Sequence, residues 1–317
     1  MIKDVTYSIK SAILGHAVAD ALGVPVEFQS RESLDNNPVT HMRGYGTYPY
    51  GAGAWSDDTS MTLCALDSLA KGRVDWNEIM NNFASWLVKG DYSSVDLCFD
   101  VGGACAKAIR RFLEGNTDPL ECADKDEYSN GNGSLMRIIP FALYVECGGY
   151  REDAFELIHL ASSLTHAHER SLVGCGIYSY VIRHLLHDPN MDSVSLALKR
   201  AASAYCEYPE LEHYKRIFAP DFKLLPESEI KSSGYVVDTL EAALWCLMTT
   251  DNYKDCVLKA VNLGEDTDTV GAVAGGLAGL LYGYDSIPSE WLNTLMKREY
   301  IEAMCVCAAE NWTSDSN

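Results

Sequence analysis

Apolar positions recur along this chain at intervals of three and four, the spacing that lines one face of a helix. Ile9, Ile13, Ala17 and Ala21 mark the first such face, within residues 9–22. The same rhythm predicts helices over 61–69, 79–87, 104–112, 154–164, 172–186, 194–204, 239–248, 253–261 and 270–281. A last helix or pair of helices is predicted over 291–308. Strand-like alternation of β-branched and polar residues is scarce. The pattern therefore predicts an all-α fold packed around one core. Breakers separate the helices. Residues 43–53 hold four glycines and several tyrosines, and 115–132 are polar and acidic. Residues 208–234, with Pro209, Pro220 and Pro226, read as an excursion or lid-like insertion. No linker-like Gly/Ser or Pro repeat interrupts the chain. One compact domain is predicted over residues 1–310, with a flexible polar tail over 311–317.

Composition narrows the class. The 317 residues are 47% hydrophobic and 22% charged, which suits a globular domain. Lys and Arg number 25 against 45 Asp and Glu, a formal charge of −20. So acidic a surface repels phosphate backbones, which disfavours nucleic acid as a partner except as a modified substrate. A nucleotide-like ligand stays possible, because backbone N–H groups and a bound cation can reverse the local sign. The 11 cysteines include no CxxC pair, which points to free buried thiols in a reducing compartment. The most apolar stretch, 270–284, is short for a membrane span. No membrane association is expected, and a cytoplasmic location follows by elimination.

Two acidic clusters stand directly before predicted helices. In Trp55-Ser56-Asp57-Asp58-Thr59, Ser56 is placed to cap a helix whose first turn holds both acids. Complementing the helix dipole accounts for one acid but leaves the second repelling it. Two carboxylates and a hydroxyl on one turn also make a face for a hard cation. The second cluster is Gly264-Glu265-Asp266-Thr267-Asp268-Thr269. There, Asp266 and Asp268 alternate in a short extended segment, and Thr269 could cap the following helix. Gly271, Gly275 and Gly279 recur along that helix, a stripe that predicts close approach of another backbone.

Three weaker signals lie elsewhere. Glu27, after Gly23 and Pro25, sits in an apolar context that would raise its pKa and suit it to proton transfer. Asn130-Gly131-Asn132-Gly133-Ser134 is a glycine loop leading into a helix, either an ordinary turn or a phosphate cradle, with Arg137 adding charge or pairing internally. In Thr165-His166-Ala167-His168, two alternating histidines could ligate a metal, cap a helix or donate to a ligand.

In this order, the stretches GHAVADALGVPVEF, WSDDTSM, FDVGGACAKAI, SNGNGSLMR, SLTHAH, SGYVVDTLEAALW and NLGEDTDTVGAVAGGLAGLLYG resemble the ADP-ribosylglycohydrolase family. The likeness spans residues 9–283, nearly the whole chain. It implies an all-helical fold with a cleft holding two divalent cations, Mg²⁺ or Mn²⁺. By resemblance, Ser56, Asp57, Asp58, Asp266, Asp268 and Thr269 match metal ligands, and Glu27 matches an acid beside them. Asp100 matches a position near the scissile bond. Asn130, Gly131, Asn132, Gly133, Ser134 and His166 match segments contacting ribose and diphosphate, and Tyr235 matches the adenosine end. Two departures stand out: Glu265, where many members have glycine, and the run Gly102-Gly103-Ala104-Cys105, where threonines are frequent.

The resemblance implies hydrolysis of ADP-ribose from a modified protein or small-molecule acceptor. The favoured bond is the N-glycosidic bond of ADP-ribosyl-arginine, since Asp100 could face a guanidinium. Glu27 or Asp100 would be the general base or cation stabiliser. The alternatives are O-linked ADP-ribose on serine, nucleic acid or a small molecule, and a binder without catalysis. A metal phosphohydrolase using His187-Asp188 is disfavoured, because Pro189 ends the helix there.

Overall fold

A computed structural model describes residues 2, 4–115, 117–150 and 152–314. Fourteen α-helices and no named strand occur among the described residues. They are α1 (Val5–Gly23), α2 (Arg31–Asn36), α3 (Asp57–Leu69), α4 (Trp76–Lys89), α5 (Gly103–Leu113), α6 (Ile139–Cys147) and α7 (Ala154–Ser163). Then follow α8 (Glu169–His187), α9 (Met191–Ala204), α10 (Val236–Met248), α11 (Tyr253–Asn262), α12 (Thr267–Tyr282), α13 (Ser289–Thr294) and α14 (Arg298–Ser314). The pair α13 and α14 resolves the last predicted segment into two helices.

The centre of the fold is the pair α1 and α12, held backbone to backbone. A Cβ added at Gly279 would come 2.0 Å from Ser11 O, and one at Gly275 would come 2.4 Å from Gly15 O. Gly15 answers from the other side, since its Cβ would meet Gly275 O at 2.6 Å. The glycine stripe is thus a close-packing device, and its entropic cost is offset by contact no larger residue permits. Helices α3, α6, α11 and α14 also pack on α1. Packed on by these helices, α1 is buried from Ser11 onwards, and with the turn that follows it forms, among the described residues, the one helical segment, Val5–Val26, long and apolar enough to cross a membrane by length and composition. Its mean hydropathy reaches 1.3 over an 18-residue window that is 94% buried within the protein.

Three expectations need correction. Helix α6 has no apolar rhythm, because all but one of its residues are buried and it has no polar face to register. Residues 208–234 do not form a free lid: Tyr214, Ile217 and Phe222 are buried, and the Tyr214 hydroxyl donates to Arg170 O at 2.7 Å. The chain does not become a tail at 311. Helix α14 continues through Ser314, Trp312 is buried and donates from Nε1 to Leu69 O at 2.8 Å, and Asn311 donates to Ala70 O at 2.9 Å. Residues 315–317 lie outside the described residues.

Candidate active site

Both acidic motifs begin helices, and the α1–α12 contact brings those beginnings together. Ser56 caps α3, placing Asp57 and Asp58 in its first turn. The second motif is more helical than its alternation suggests. Asp266 is the N-cap of α12, and Asp268 and Thr269 already lie in the first turn. One cause is tertiary and one local: the Thr267 hydroxyl donates to Gly23 O at 2.8 Å, and Val270 N–H donates to Asp266 O at 3.2 Å. Across the gap, the Thr269 hydroxyl donates to Asp58 Oδ2 at 3.3 Å, so the two helix starts share one polar floor.

An acid that sequence reasoning passed over organises this floor. Asp20, on α1, is fully buried and accepts from Ser56 N–H at 2.9 Å, Thr59 N–H at 3.1 Å and the Thr59 hydroxyl at 2.6 Å. Its carboxylate caps α3 from a neighbouring helix. The signal was a lone acid inside the apolar run AVADALG, a residue type almost never buried without partners. Ser56 Oγ lies 3.0 Å from Asp20 Oδ1 and 2.9 Å from Asp58 Oδ2, and its single proton can serve only one of them.

The oxygens divide into committed and uncommitted. Asp20 is saturated by donors, whereas buried Asp58 Oδ1, Asp268 Oδ2 and Glu27 Oε2 have no hydrogen-bond partner. Oxygens of Asp20, Asp58 and Asp268 lie within 4.8 Å of one another, as do oxygens of Glu27, Asp100 and Asp268. Asp268 belongs to both groups. Burial, then the neighbouring acids, raises the pKa of Asp57, Asp58 and Asp268 well above the usual carboxylate range. Glu27 is pushed up to about 9 by burial and then by the charge of Asp100. Buried, converging carboxylates with unpaired oxygens and no basic partner need protons or a cation. An all-oxygen donor set suits a hard divalent ion, so these residues fit the metal that the motifs imply.

Above the floor lies a cleft of about 370 Å³. Glu27, Asp57, Asp100, Asp266 and Thr269 reach it; Ser56, Asp58 and Asp268 lie beneath its surface. Asp57 Oδ2 accepts from Gly102 N–H at 3.3 Å, and Asp266 Oδ2 accepts from the Asn132 amide at 2.8 Å. Asp100 has a positive φ of 56° and accepts from the Tyr48 hydroxyl at 2.6 Å. Tyr48 is a second residue that the sequence did not single out; it comes from the glycine-rich loop and packs on Phe99.

The far wall is the loop at 130–134. Gly131, Asn132 and Gly133 line the cleft, while Asn130, Ser134 and Tyr235 do not. Asn130 accepts from the Ser171 hydroxyl at 3.0 Å, and Ser134 accepts from the Ser162 hydroxyl at 2.8 Å, so both anchor the loop from behind. Tyr235 pairs its backbone with Gly131, and its ring lies 5.8 Å from the Arg170 guanidinium. The loop enters a single 3-10 turn, Leu135–Arg137, and not an α-helix, so no α-helix N-terminus stands at Ser134. Arg137 is fully buried and pairs internally, donating to Ala161 O at 3.1 Å and Thr165 Oγ1 at 2.7 Å.

That internal pairing fixes His166. Thr165 Oγ1 accepts from Arg137 and pairs with His166 Nδ1 at 2.9 Å, which holds the imidazole in place. The ring lines the cleft. Burial, then the Arg137 charge, lowers the pKa of His166 to about 3, so the imidazole is neutral. His168 caps α8. His187, at the end of α8, pairs with Glu146 Oε2 at 2.7 Å and belongs to neither acidic group.

An all-helical scaffold whose helix starts converge as an acidic, cation-suited floor beneath a cleft defines a class of helical hydrolase. Comparisons identify which one. The family model for ADP-ribosylglycohydrolase matches residues 2–316. The chain is 34% identical over 299 residues to ADP-ribosylarginine hydrolase Tri1 of Serratia proteamaculans, covering 92% of this chain and 76% of that protein. It is also 34% identical over 287 residues to ADP-ribosyl-[dinitrogen reductase] glycohydrolase of Rhodospirillum rubrum, covering 90% and 88%. A solved ADP-ribosylglycohydrolase-related protein complex superposes with a TM-score of 0.82 at 29% identity, covering 98% of this chain and 99% of that one. This chain belongs to the ADP-ribosylglycohydrolase family, and is a glycosidase acting on ADP-ribosylated acceptors.

Proposed function

We propose that this enzyme hydrolyses the N-glycosidic bond between ADP-ribose and an arginine side chain of a modified protein, with two divalent cations, Mg²⁺ or Mn²⁺, on its acidic floor. The observation that carries the reading is the set of buried, unpartnered carboxylate oxygens on Glu27, Asp58 and Asp268. The names of the Serratia and Rhodospirillum relatives, which specify an arginine and a protein acceptor, support the acceptor class.

Asp57, Asp58, Asp266, Asp268 and Thr269 would hold the cations, and Ser56 keeps a lone pair available for the same purpose. When bound, the cations would act as Lewis acids and as a template for the sugar hydroxyls. The chain's own residues then divide the remaining work. Gly131, Asn132 and Gly133 leave the far wall low, and His166 hydrogen-bonds to a ribose or phosphate oxygen. Asn130 and Ser134 hold that loop, and Tyr235 backs it towards the adenosine end. Glu27, ionised once bound cations offset the charge of the neighbouring acids, takes the proton of the attacking water. Asp100, steadied by Tyr48, faces the positive charge shared between the ribose C1″ and the guanidinium leaving group. We place the enzyme in a reducing, cytoplasmic compartment, in keeping with its free thiols.

The test is a panel of ADP-ribosylated arginine, serine and nucleic-acid substrates, with free ADP-ribose detected by mass spectrometry. Arginine-linked ADP-ribose is expected to be released fastest, and Asp100→Ala to lose that activity. Equal activity in Asp100→Ala, or a preference for serine, would overturn the acceptor assignment.

A further inference from the structure

Phe28 occupies a position that neither packing nor backbone preference explains. Its side chain lines the cleft and is 70% exposed. Its φ is +66°, a left-handed conformation that bulky residues avoid. Packing does not compensate for an apolar ring in water on a disfavoured backbone. The conformation is nevertheless firmly held. Phe28 N–H donates to Glu265 O at 2.7 Å, and Glu265 N–H donates to Gln29 O at 2.7 Å. Glu265 is itself left-handed, with φ +61°. The paired strained residues tie the ring's backbone to the lead-in of α12, so the point from which the ring projects into the cleft is fixed.

We propose that Phe28 forms the acceptor subsite, its ring stacking on the planar guanidinium of the ADP-ribosylated arginine. The inference rests on the arginine reading above and adds the group that recognises the acceptor. Position decides against the nucleotide end. Phe28 follows Glu27, whose carboxylate shares a 4.8 Å cluster with Asp100 and Asp268. The adenine lies a diphosphate and a second ribose away from the bond being broken, so a ring beside the reacting carboxylates meets what is attached to C1″. A guanidinium is a flat, weakly hydrated cation that stacks on aromatic faces, and Asp100 in the same cleft supplies the opposite charge. The same cleft has room for the acceptor's chain: a Cβ at Gly102 or Gly103 would meet nothing within 4 Å.

The experiment compares wild type with Phe28→Ala, Phe28→Leu and Phe28→Trp in the metal-loaded enzyme. KM and kcat are measured on ADP-ribosyl-arginine, and ADP-ribose is used as a competitive inhibitor. Phe28→Ala and Phe28→Leu should raise KM about fivefold with kcat little changed. Phe28→Trp should keep KM near the wild-type value, and inhibition by ADP-ribose should be the same in all four proteins. An unchanged KM in Phe28→Ala overturns the proposal. So does a parallel loss of ADP-ribose affinity, which would put the ring under the nucleotide. Phe28→Leu keeps an apolar side chain of similar reach, so a KM as low as wild type there would reduce the role to apolar contact and also refute stacking. A wild type that does not turn over ADP-ribosyl-arginine sinks the arginine reading itself, and this inference with it.

Discussion

Replacing Asp58 by asparagine separates a cation ligand from a structural acid, because the two roles predict stability changes of opposite sign. Asp58 is fully buried, with one oxygen accepting from Ser56 and Thr269 and the other unpaired. Its carboxylate lies within 4.8 Å of oxygens of Asp20 and Asp268. With an effective dielectric constant of about 20, each fully ionised pair at that distance costs about 3.5 kcal/mol. Taking about half of one pair to survive protonation in the metal-free protein leaves about 2 kcal/mol to be recovered by Asp58→Asn. The amide keeps the acceptor and turns N–H groups towards the neighbouring acids. For 317 residues, an unfolding entropy of about 2.1 cal/mol/K per residue makes this a rise of about 3 °C in metal-free Tm. In wild type, a cation at a hundred times its Kd adds about 2.7 kcal/mol, or about 4 °C. Asp58→Asn should lose that increment and the hydrolase activity together. The assay is thermal unfolding of both proteins in chelator and in Mg²⁺ or Mn²⁺. A metal-free Tm that falls by several degrees, or a cation response that survives, would refute the reasoning.

Asp20→Ala should cost roughly 3–5 kcal/mol in chemical denaturation, since it strands the buried donors of Ser56 and Thr59; a loss under about 1 kcal/mol would contradict its capping role. Glu265→Gly should be neutral or slightly stabilising with full activity, because the residue is exposed at φ +61° and glycine accepts that conformation; a loss of activity would give the side chain a role it lacks here. In chelator, stability should fall as pH rises. Burial raises Asp20 from 3.8 to about 7, and burial with Asp100 raises Glu27 from 4.5 to about 9. Raised folded pKa values stabilise fully below the unfolded values, and that contribution is lost as pH climbs through about 7 and then about 9. Unfolding midpoints between pH 5 and 9 should decline in chelator and level off with cation present; a flat metal-free profile would count against ionisable, crowded acids.

The helices with one polar face were legible from spacing alone, as were the close approach forecast by Gly271, Gly275 and Gly279 and the capping role of Ser56. Helix α6 was not, because a segment buried on every side has no period to read. The candidate floor was half legible. Paired acids before helices announced Asp57, Asp58, Asp266 and Asp268, but the spacing could not tell an extended lead-in from a first turn, which depended on Thr267 reaching Gly23. Asp20 was hidden because it reads as one polar residue on an apolar helix; its meaning comes from donors on α3, 36 and 39 residues away. Tyr48 and Phe28 were invisible for a related reason. One depends on a hydrogen bond spanning 52 residues, and the other on a positive φ that no residue type announces. The departure at Glu265 becomes simple in three dimensions: the position needs a left-handed backbone, and its side chain faces solvent.

The most direct measurement is ADP-ribose release from an ADP-ribosyl-arginine protein by chelator-treated enzyme as Mg²⁺ or Mn²⁺ is added back. The account predicts negligible release without cation, saturable recovery in wild type, and none in Asp268→Asn, whose carboxylate belongs to both acidic groups. Release that proceeds in chelator, or recovery in Asp268→Asn to the wild-type level, would contradict it.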